Sequence, residues 1–256
     1  MADPEVLDAE MQQVAEAFGV AMEQVRRDHL ISHVLGAISQ DLPGRVIFFG
    51  GTALSRTYLP DGRLSEDIDL IAVGNRREVA VMLEDAIGAR LARTHGHLTW
   101  EPAPSATRDP EPALLQTDDG LNVRVQLLSE VGYAPWPTEE VDLHQRYSDA
   151  PPARLTAYTA AAFVAAKTCA WIDRTASRDL YDLYLLARAG FVTPEAGELF
   201  MRHGPFGATL PSSGNLGQAP SGEAWRVQLG SQTRLTVTPD EALAVVQRAW
   251  GLVRAA

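Results

Sequence analysis

The chain has 256 residues, of which 46% are hydrophobic and 21% charged, a composition typical of a globular protein. Its net charge of −11 argues against a protein that coats nucleic acid non-specifically. The sequence has no apolar run of about 18 residues and no basic start, which argues against a membrane span or a signal peptide. Its single cysteine, Cys169, permits no internal disulfide, so we expect a cytoplasmic protein.

The first third of the chain predicts helices around one short strand. Apolar residues recur at helical spacing from residue 9 to residue 40, with Gly19 as a candidate interruption. Pro43 and Gly44 end this helix before an apolar strand at residues 45–49. We expect a short helix from Thr52 to about Tyr58 and then a loop at residues 60–62.

A glycine turn and a pair of aspartates flank that short helix. Gly50, Gly51 and Thr52 follow the first strand, and their backbone N–H groups can hold triphosphate oxygens. Residues 66–73 predict a second strand, in which Asp67 and Asp69 point to one face with their Cα atoms roughly 6.5–7 Å apart. Two carboxylates in an apolar strand are costly unless a metal or another cation compensates them, and Mg²⁺ prefers such oxygen ligands. This order of elements predicts a nucleotidyl-transfer site.

Ser65 is a further candidate for this site. It precedes Asp67 by two residues, so we expect its hydroxyl on the same face as both carboxylates and near the bound phosphates. The alternative is that Ser65 hydrogen-bonds the loop of residues 60–63.

The middle of the chain predicts an amphipathic helix at residues 76–94, an exposed proline-rich loop at residues 101–112 and a half-buried strand at residues 121–128. Arginines such as Arg26, Arg27 and Arg76 form either a local basic surface or solvated helix faces. Residues 204–233 are rich in Gly, Ser, Pro and Gln, and we expect a long loop or a poorly paired hairpin there. Pro239 opens a final helix through Trp250.

A second polar block lies in an Ala-rich region. The chain has 21 arginines but one lysine, Lys167, on a helix predicted from about Thr156 to Asp173. Ser177 is a candidate cap for a helix from Arg178 to Ala189. On that helix Asp179 and Asp182 share a face, either as functional groups or as part of a surface ion-pair ladder.

These motifs resemble a known family. The segment from Phe48 to Leu70 resembles the core of nucleotidyltransferase toxins of the AbiEii (abortive infection) type, within the DNA polymerase beta-like nucleotidyltransferase superfamily. Lys167 and the block Arg178-Asp179-x-x-Asp182-Leu183 resemble the family's downstream lysine and Arg-Asp-x-x-Asp-Leu motif. The helix that contains Arg27, Asp28, His29 and Leu30 sits where the family has a charged helix, and the resemblance spans residues near 25 to 190.

The resemblance implies an α/β fold, a mixed sheet wrapped by helices. It implies a nucleotidyltransferase core at residues 1–150 and a helical domain at residues 151–256 that completes the cleft. The implied activity is Mg²⁺-dependent transfer of NMP from an NTP to an RNA acceptor, the 3′ end of tRNA, under control of an antitoxin encoded nearby.

The resemblance also implies roles for the downstream residues. Lys167 would neutralise the triphosphate, and Asp182 would orient Lys167 or the attacking hydroxyl. Arg178 and Asp179 would either support these groups or touch the substrate themselves.

The sequence departs from the superfamily on one strand. A third carboxylate often stands on the strand beside the aspartate pair, where this chain has Arg124 and Gln126. One firmly held Mg²⁺, or one such ion with a second carried largely by the nucleotide, is therefore expected rather than a full two-metal site. Two other functions stay open: an antibiotic adenylyltransferase, which fits the negative charge, and a nucleotide-binding regulator that has lost catalysis.

Overall fold

The computed structural model describes residues 4–207 and 209–255. The chain divides into two compact units, Met1–Ala157 and Tyr158–Ala256. The described residues of the first unit form four α-helices around one mixed sheet, and those of the second form five α-helices, so the predicted α/β fold class is confirmed.

The first unit contains the whole sheet, apart from the last residue of its seventh strand. Its helices are α1 (Pro4–Phe18), α2 (Met22–Asp41), α3 (Gly50–Arg56) and α4 (Arg76–Leu91). Its strands are β1 (Val46–Phe49), β2 (Asp67–Ala72), β3 (Leu98–Trp100), β4 (Ala113–Thr117), β5 (Asn122–Ser129), β6 (Thr138–Asp142) and β7 (Arg154–Tyr158).

The sheet has the order β3-β4-β5-β2-β1-β7-β6, so β2 lies at its centre. Strand β2 runs antiparallel to β1 and parallel to β5. Apolar side chains explain this placement, because Ile68, Leu70 and Ala72 of β2 are fully buried. The two carboxylates of β2 are thereby held on a strand that is paired along both of its edges.

Several boundaries differ from the sequence prediction. The first predicted helix is two helices, because Gly19 has a φ of 65°, a conformation that glycine adopts without the usual steric cost. The segment at residues 101–112 contains a 3₁₀ turn (Pro104–Ala106) with Pro104 buried, so it is not simply an exposed loop. The predicted helix start at Thr156 is wrong, because Thr156 pairs with Ile47 of β1 in strand β7.

The second unit contains α5 (Ala160–Arg174), α6 (Ser177–Arg188), α7 (Pro194–His203), α8 (Gly222–Leu229) and α9 (Pro239–Ala255). Ser177 is the first residue of α6 rather than its cap. Helix α8 lies within the segment expected to be a loop or hairpin, and Ser221 caps it by accepting a hydrogen bond from the Ala224 N–H. The helix predicted from Pro239 is confirmed. None of the described helices is long and apolar enough to cross a membrane.

Candidate active site

Strand β2 presents the two aspartates on one face of the sheet. Asp67 and Asp69 are half-buried, whereas Ile68 between them is fully buried on the opposite face. Asp69 lies opposite Phe49, the last residue of β1. Because the glycine turn begins at the next residue, this register brings the turn to the aspartate pair.

Gly50 of the glycine turn packs directly against the carboxylate of Asp69. Gly50 has a φ of 80°, and a Cβ atom at this position would overlap the carboxylate of Asp69. A Cβ atom at Gly51 would overlap the guanidinium of Arg63 and would lie 3.2 Å from the Oγ of Ser65. Only glycine at position 50 therefore allows the backbone of this turn to approach the carboxylate of Asp69 so closely.

Thr52 connects the glycine turn to β2 by a hydrogen bond. It is buried, and its hydroxyl donates a hydrogen bond to the backbone carbonyl of Asp67. The hydroxyl proton of Thr52 is used in this bond and is not available to a phosphate. A phosphate contact by Thr52 would therefore come from its backbone N–H.

Ser65 lies outside β2, which begins at Asp67, so strand alternation does not place its hydroxyl. The residue is buried. Its Oγ nevertheless lies beside Gly51, which puts Ser65 at the glycine turn by packing rather than by strand geometry.

Arg124 lies beside the aspartate pair on the neighbouring strand β5. It is the register partner of Asp67 on β5, and Gln126 is the register partner of Asp69. The guanidinium contacts both carboxylate oxygens of Asp67, Nε to Oδ1 at 2.9 Å and Nη2 to Oδ2 at 3.1 Å. This hydrogen-bonded pairing raises the pKa of Arg124, so it stays charged.

The donor set at β2 fits a hard divalent cation. Asp67 and Asp69 supply carboxylate oxygens from one strand face, which is the ligand type that Mg²⁺ prefers. A cavity of about 230 Å³ beside Asp67 is also lined by Glu66 and Arg124. Because Arg124 already contacts both oxygens of Asp67, a metal ion would share this carboxylate with a cationic side chain.

The second unit contains a buried charged cluster around Lys167. This lysine, on α5, is 8% exposed, and its Nζ lies 3.0 Å from Asp179 Oδ1 and 2.7 Å from Asp182 Oδ2. Arg174 holds Asp179 with both Nε and Nη2, at 2.7 and 3.0 Å. Burial alone would raise the pKa of Asp179, but Lys167 and Arg174 outweigh it and lower this pKa.

This geometry changes the interpretation of the downstream motif. The alternative of a surface ion-pair ladder is wrong, because Asp179 and Asp182 are both buried. Asp182 contacts Lys167, as expected for a residue that orients it, and Asp179 makes an equivalent contact. Arg178 lies half-buried beside them on α6.

Sequence reasoning missed a buried network next to the glycine turn. Arg56, at the end of α3, is fully buried and donates a hydrogen bond of 2.8 Å to Asp28 Oδ1 on α2. Tyr147 donates to the other oxygen of Asp28 at 3.0 Å. Burial lowers the pKa of Arg56 to about 10 and raises that of Tyr147. The charge pattern of α2 in the sequence gave no signal of these non-local partners.

Comparisons with known proteins identify the family of this chain. Residues 34–245 match the family model described as the nucleotidyl transferase AbiEii toxin of a type IV toxin–antitoxin system. The structure is similar to that of MenT4, a nucleotidyltransferase toxin from Mycobacterium tuberculosis, with a TM-score of 0.71 and 22% sequence identity over 96% of this chain and 90% of that chain. A search of curated protein sequences gave no match. The matched residues cover most of the sequence, including both motif blocks, and the chain therefore belongs to the AbiEii family of nucleotidyltransferase toxins.

Proposed function

We propose that this toxin is a Mg²⁺-dependent enzyme that transfers NMP from an NTP to the 3′ end of tRNA in the cytoplasm. The observation that carries the proposal is the packing of Gly50 against Asp69, because it joins a phosphate-binding backbone to a metal-binding carboxylate. Extension of the tRNA 3′ end would prevent aminoacylation and so stop translation.

In the proposed reaction, the acceptor hydroxyl oxygen forms a bond to the α-phosphorus and pyrophosphate leaves. The backbone N–H groups of Gly50, Gly51 and Thr52 hold the outer phosphates, and Ser65 supports this contact. Asp67 and Asp69 would hold Mg²⁺, which would supply positive charge to stabilise the transition state. These residues act by positioning and by electrostatic stabilisation rather than by covalent chemistry.

Lys167 is the proposed cation for the triphosphate as pyrophosphate leaves. Its contacts with Asp179 and Asp182 support this role, because they fix the ammonium of a long, flexible side chain. Arg178 and Asp179 act as positioning residues for this group. An antitoxin encoded nearby would control the activity.

The test is incubation of the purified protein with each labelled NTP, Mg²⁺ and total tRNA. We expect label on tRNA with wild type and an almost complete loss in Asp69→Asn. The matched control is Asp85→Asn, an exposed aspartate on α4, which should retain activity.

Different results would redirect the proposal. Full activity of Asp69→Asn would contradict the metal assignment. Transfer to an aminoglycoside or another cationic antibiotic, with none to tRNA, would instead identify the small-molecule adenylyltransferase. Nucleotide binding with no transfer to any acceptor would identify a regulator.

A further inference from the structure

Three histidines and one aspartate converge in the first unit, apart from the residues of the candidate active site. His29 and His33 lie one turn apart on α2, His95 lies between α4 and β3, and Asp149 lies between β6 and β7. One ring nitrogen from each of the three histidines lies within 4.8 Å of the other two. Four separate metal-ligand side chains thus meet at one point of the fold.

The spacing of these atoms matches a tetrahedral metal site. His29 Nε2 lies 3.2 Å from His33 Nε2 and 3.0 Å from Asp149 Oδ1, and His33 Nε2 lies 3.3 Å from Asp149 Oδ2. Ligand atoms around a tetrahedral zinc ion with Zn–N bonds of 2.0–2.1 Å are about 3.3 Å apart. His95 would need to approach by at most about 1.5 Å to complete the set.

His95 gives independent support. Its Nε2 is buried and has no hydrogen-bond partner among the described residues. Its Nδ1 lies 2.9 Å from the Thr94 hydroxyl, which itself lies 3.3 Å from the Leu91 carbonyl. When Thr94 donates to Leu91, its oxygen accepts the Nδ1 proton of His95. Nε2 then carries a lone pair that is free to bind a metal ion, as in histidines that bind metals.

Hydrogen bonding alone does not account for the whole cluster. Asp149 can accept protons from His29 and His33, but this leaves His95 Nε2 without a partner in the part of the chain that the structure describes.

The cluster is also accessible to a metal ion. A cavity of about 320 Å³ is lined by His29 and His95 and by two acidic residues, Asp118 and Asp119. Arg26 also lines this cavity and pairs with Asp119, and the cavity is open to solvent. An ion in solution therefore has a path to the histidines.

We propose that His29, His33, His95 and Asp149 form a structural Zn²⁺ site. Three imidazoles and one carboxylate favour zinc over Mg²⁺, and four protein ligands close the coordination sphere as in structural rather than catalytic zinc sites. The ion would link α2 to the segment before β3, which contains His95, and to the segment before β7, which contains Asp149. Helix α2 also carries Asp28, the ion-pair partner of Arg56. By holding α2 in place, the metal ion would also stabilise the ion pair that positions the glycine turn.

The first test is calorimetric titration of Zn²⁺ into untagged, chelator-treated protein. Asp69→Asn is used as the background, so that the nucleotidyl-transfer site does not contribute. We expect one Zn²⁺ per chain and a rise in melting temperature of several degrees. His95→Gln should weaken Zn²⁺ binding by more than about 100-fold, because it removes a ligand. The matched control is His97→Gln, two residues away and largely exposed, which should bind normally.

A second measurement does not depend on a variant. Co²⁺ held by three imidazoles and a carboxylate in a tetrahedral site absorbs visible light much more strongly than octahedral Co²⁺ with oxygen ligands. We expect the intense spectrum, and Zn²⁺ should abolish it by displacement. A weak octahedral spectrum, no binding of Zn²⁺, or equal affinity in His95→Gln and His97→Gln would overturn the proposal. Neither test measures nucleotidyl transfer, so the outcome is independent of the proposed function.

Discussion

Asp67 and Arg124 place opposite charges side by side on the sheet face of the candidate active site. Both oxygens of the Asp67 carboxylate contact Arg124, and both are also potential ligands for Mg²⁺. The arginine and the metal ion therefore compete for the same group, and the positive charge of Arg124 disfavours a divalent ion nearby. The metal requirement of the enzyme should depend on this side chain.

We predict that Arg124→Gln lowers the Mg²⁺ concentration that gives half-maximal activity by about twofold to fivefold. An exposed ion pair contributes at most about 1 kcal/mol, which sets the size of the effect. Titration of Mg²⁺ in the transfer assay measures it. Arg77→Gln removes the same charge from an exposed position on α4 and should leave the titration unchanged. A higher Mg²⁺ requirement in Arg124→Gln would contradict this interpretation.

Lys167 allows a second prediction about a single side chain. Lys167→Arg keeps the charge, but a planar guanidinium cannot replace the compact ammonium between Asp179 and Asp182. We expect kcat to fall by about 10² to 10³, the loss typical of one misplaced electrostatic contact in a transition state.

The control is the reverse exchange, Arg174→Lys, because Arg174 is the other cation that contacts Asp179. The side chain of Arg174 is 62% exposed. It should retain most of the activity, and circular dichroism should show both variants folded. If Lys167→Arg turns over at the wild-type rate, the single lysine of this chain has no special role.

At the scale of the elements, the glycine turn depends on the junction between α2 and α3. Arg56 ends α3, and its guanidinium pairs with the carboxylate of Asp28 in the interior of the first unit. Removing one member of a buried ion pair leaves an uncompensated charge, which costs about 3 to 5 kcal/mol. The position of the turn therefore depends on this carboxylate of α2.

We predict that Asp28→Asn lowers the free energy of unfolding by about 3 to 5 kcal/mol, because Arg56 stays buried. Urea denaturation measures this change. Asp41→Asn is the matched control, because Asp41 is on the same helix and its ion pair with Arg90 is accessible to solvent, with side chains 30% and 49% exposed. That control should cost less than about 1 kcal/mol. Equal losses in the two variants would show that burial does not determine the strength of the pair.

The sequence predicted the elements that local patterns specify. The apolar run at β1, the Asp-x-Asp strand and the helix opened by Pro239 each carry their signal within a few residues. Strand β7 was missed because Thr156 and Ala157 precede an Ala-rich helix, and only pairing with β1 makes them a strand. In α8 the cap Ser221 was a local signal, but the surrounding Gly and Ser residues masked it.

Contacts that only the tertiary fold creates also limited the prediction of the candidate sites. His29 and His33, four residues apart on α2, were visible in the sequence as potential partners on one helix face. His95 and Asp149 reach them only through the tertiary fold. Likewise, the contact between Arg124 and Asp67 follows from the parallel register of β5 and β2, which a single sequence does not specify.

At the scale of the whole molecule, family membership predicts an effect on living cells. Expression of the wild-type chain should arrest growth, and Asp69→Asn should allow normal growth because the carboxylate pair is incomplete. Asp85→Asn, on the exposed face of α4, should remain toxic. Colony counts after induction, with protein levels compared by immunoblot, measure the effect. Arrest by Asp69→Asn at equal expression would mean that toxicity does not require nucleotidyl transfer.

The contact between Gly50 and Asp69 has a genetic consequence. In a selection for cells that survive expression of the gene, mutants should appear at codon 50 whatever residue they encode, because every Cβ atom there meets the same carboxylate. Gly74 provides the comparison, since it has a similar φ of 87° but no described atom within 4 Å of the place that a Cβ would occupy. A substitution at Gly74 adds backbone strain but no steric overlap. Mutants at this codon should therefore be rare among the survivors. The spectrum of survivors would thus separate steric inactivation of a toxin from simple loss of its stability.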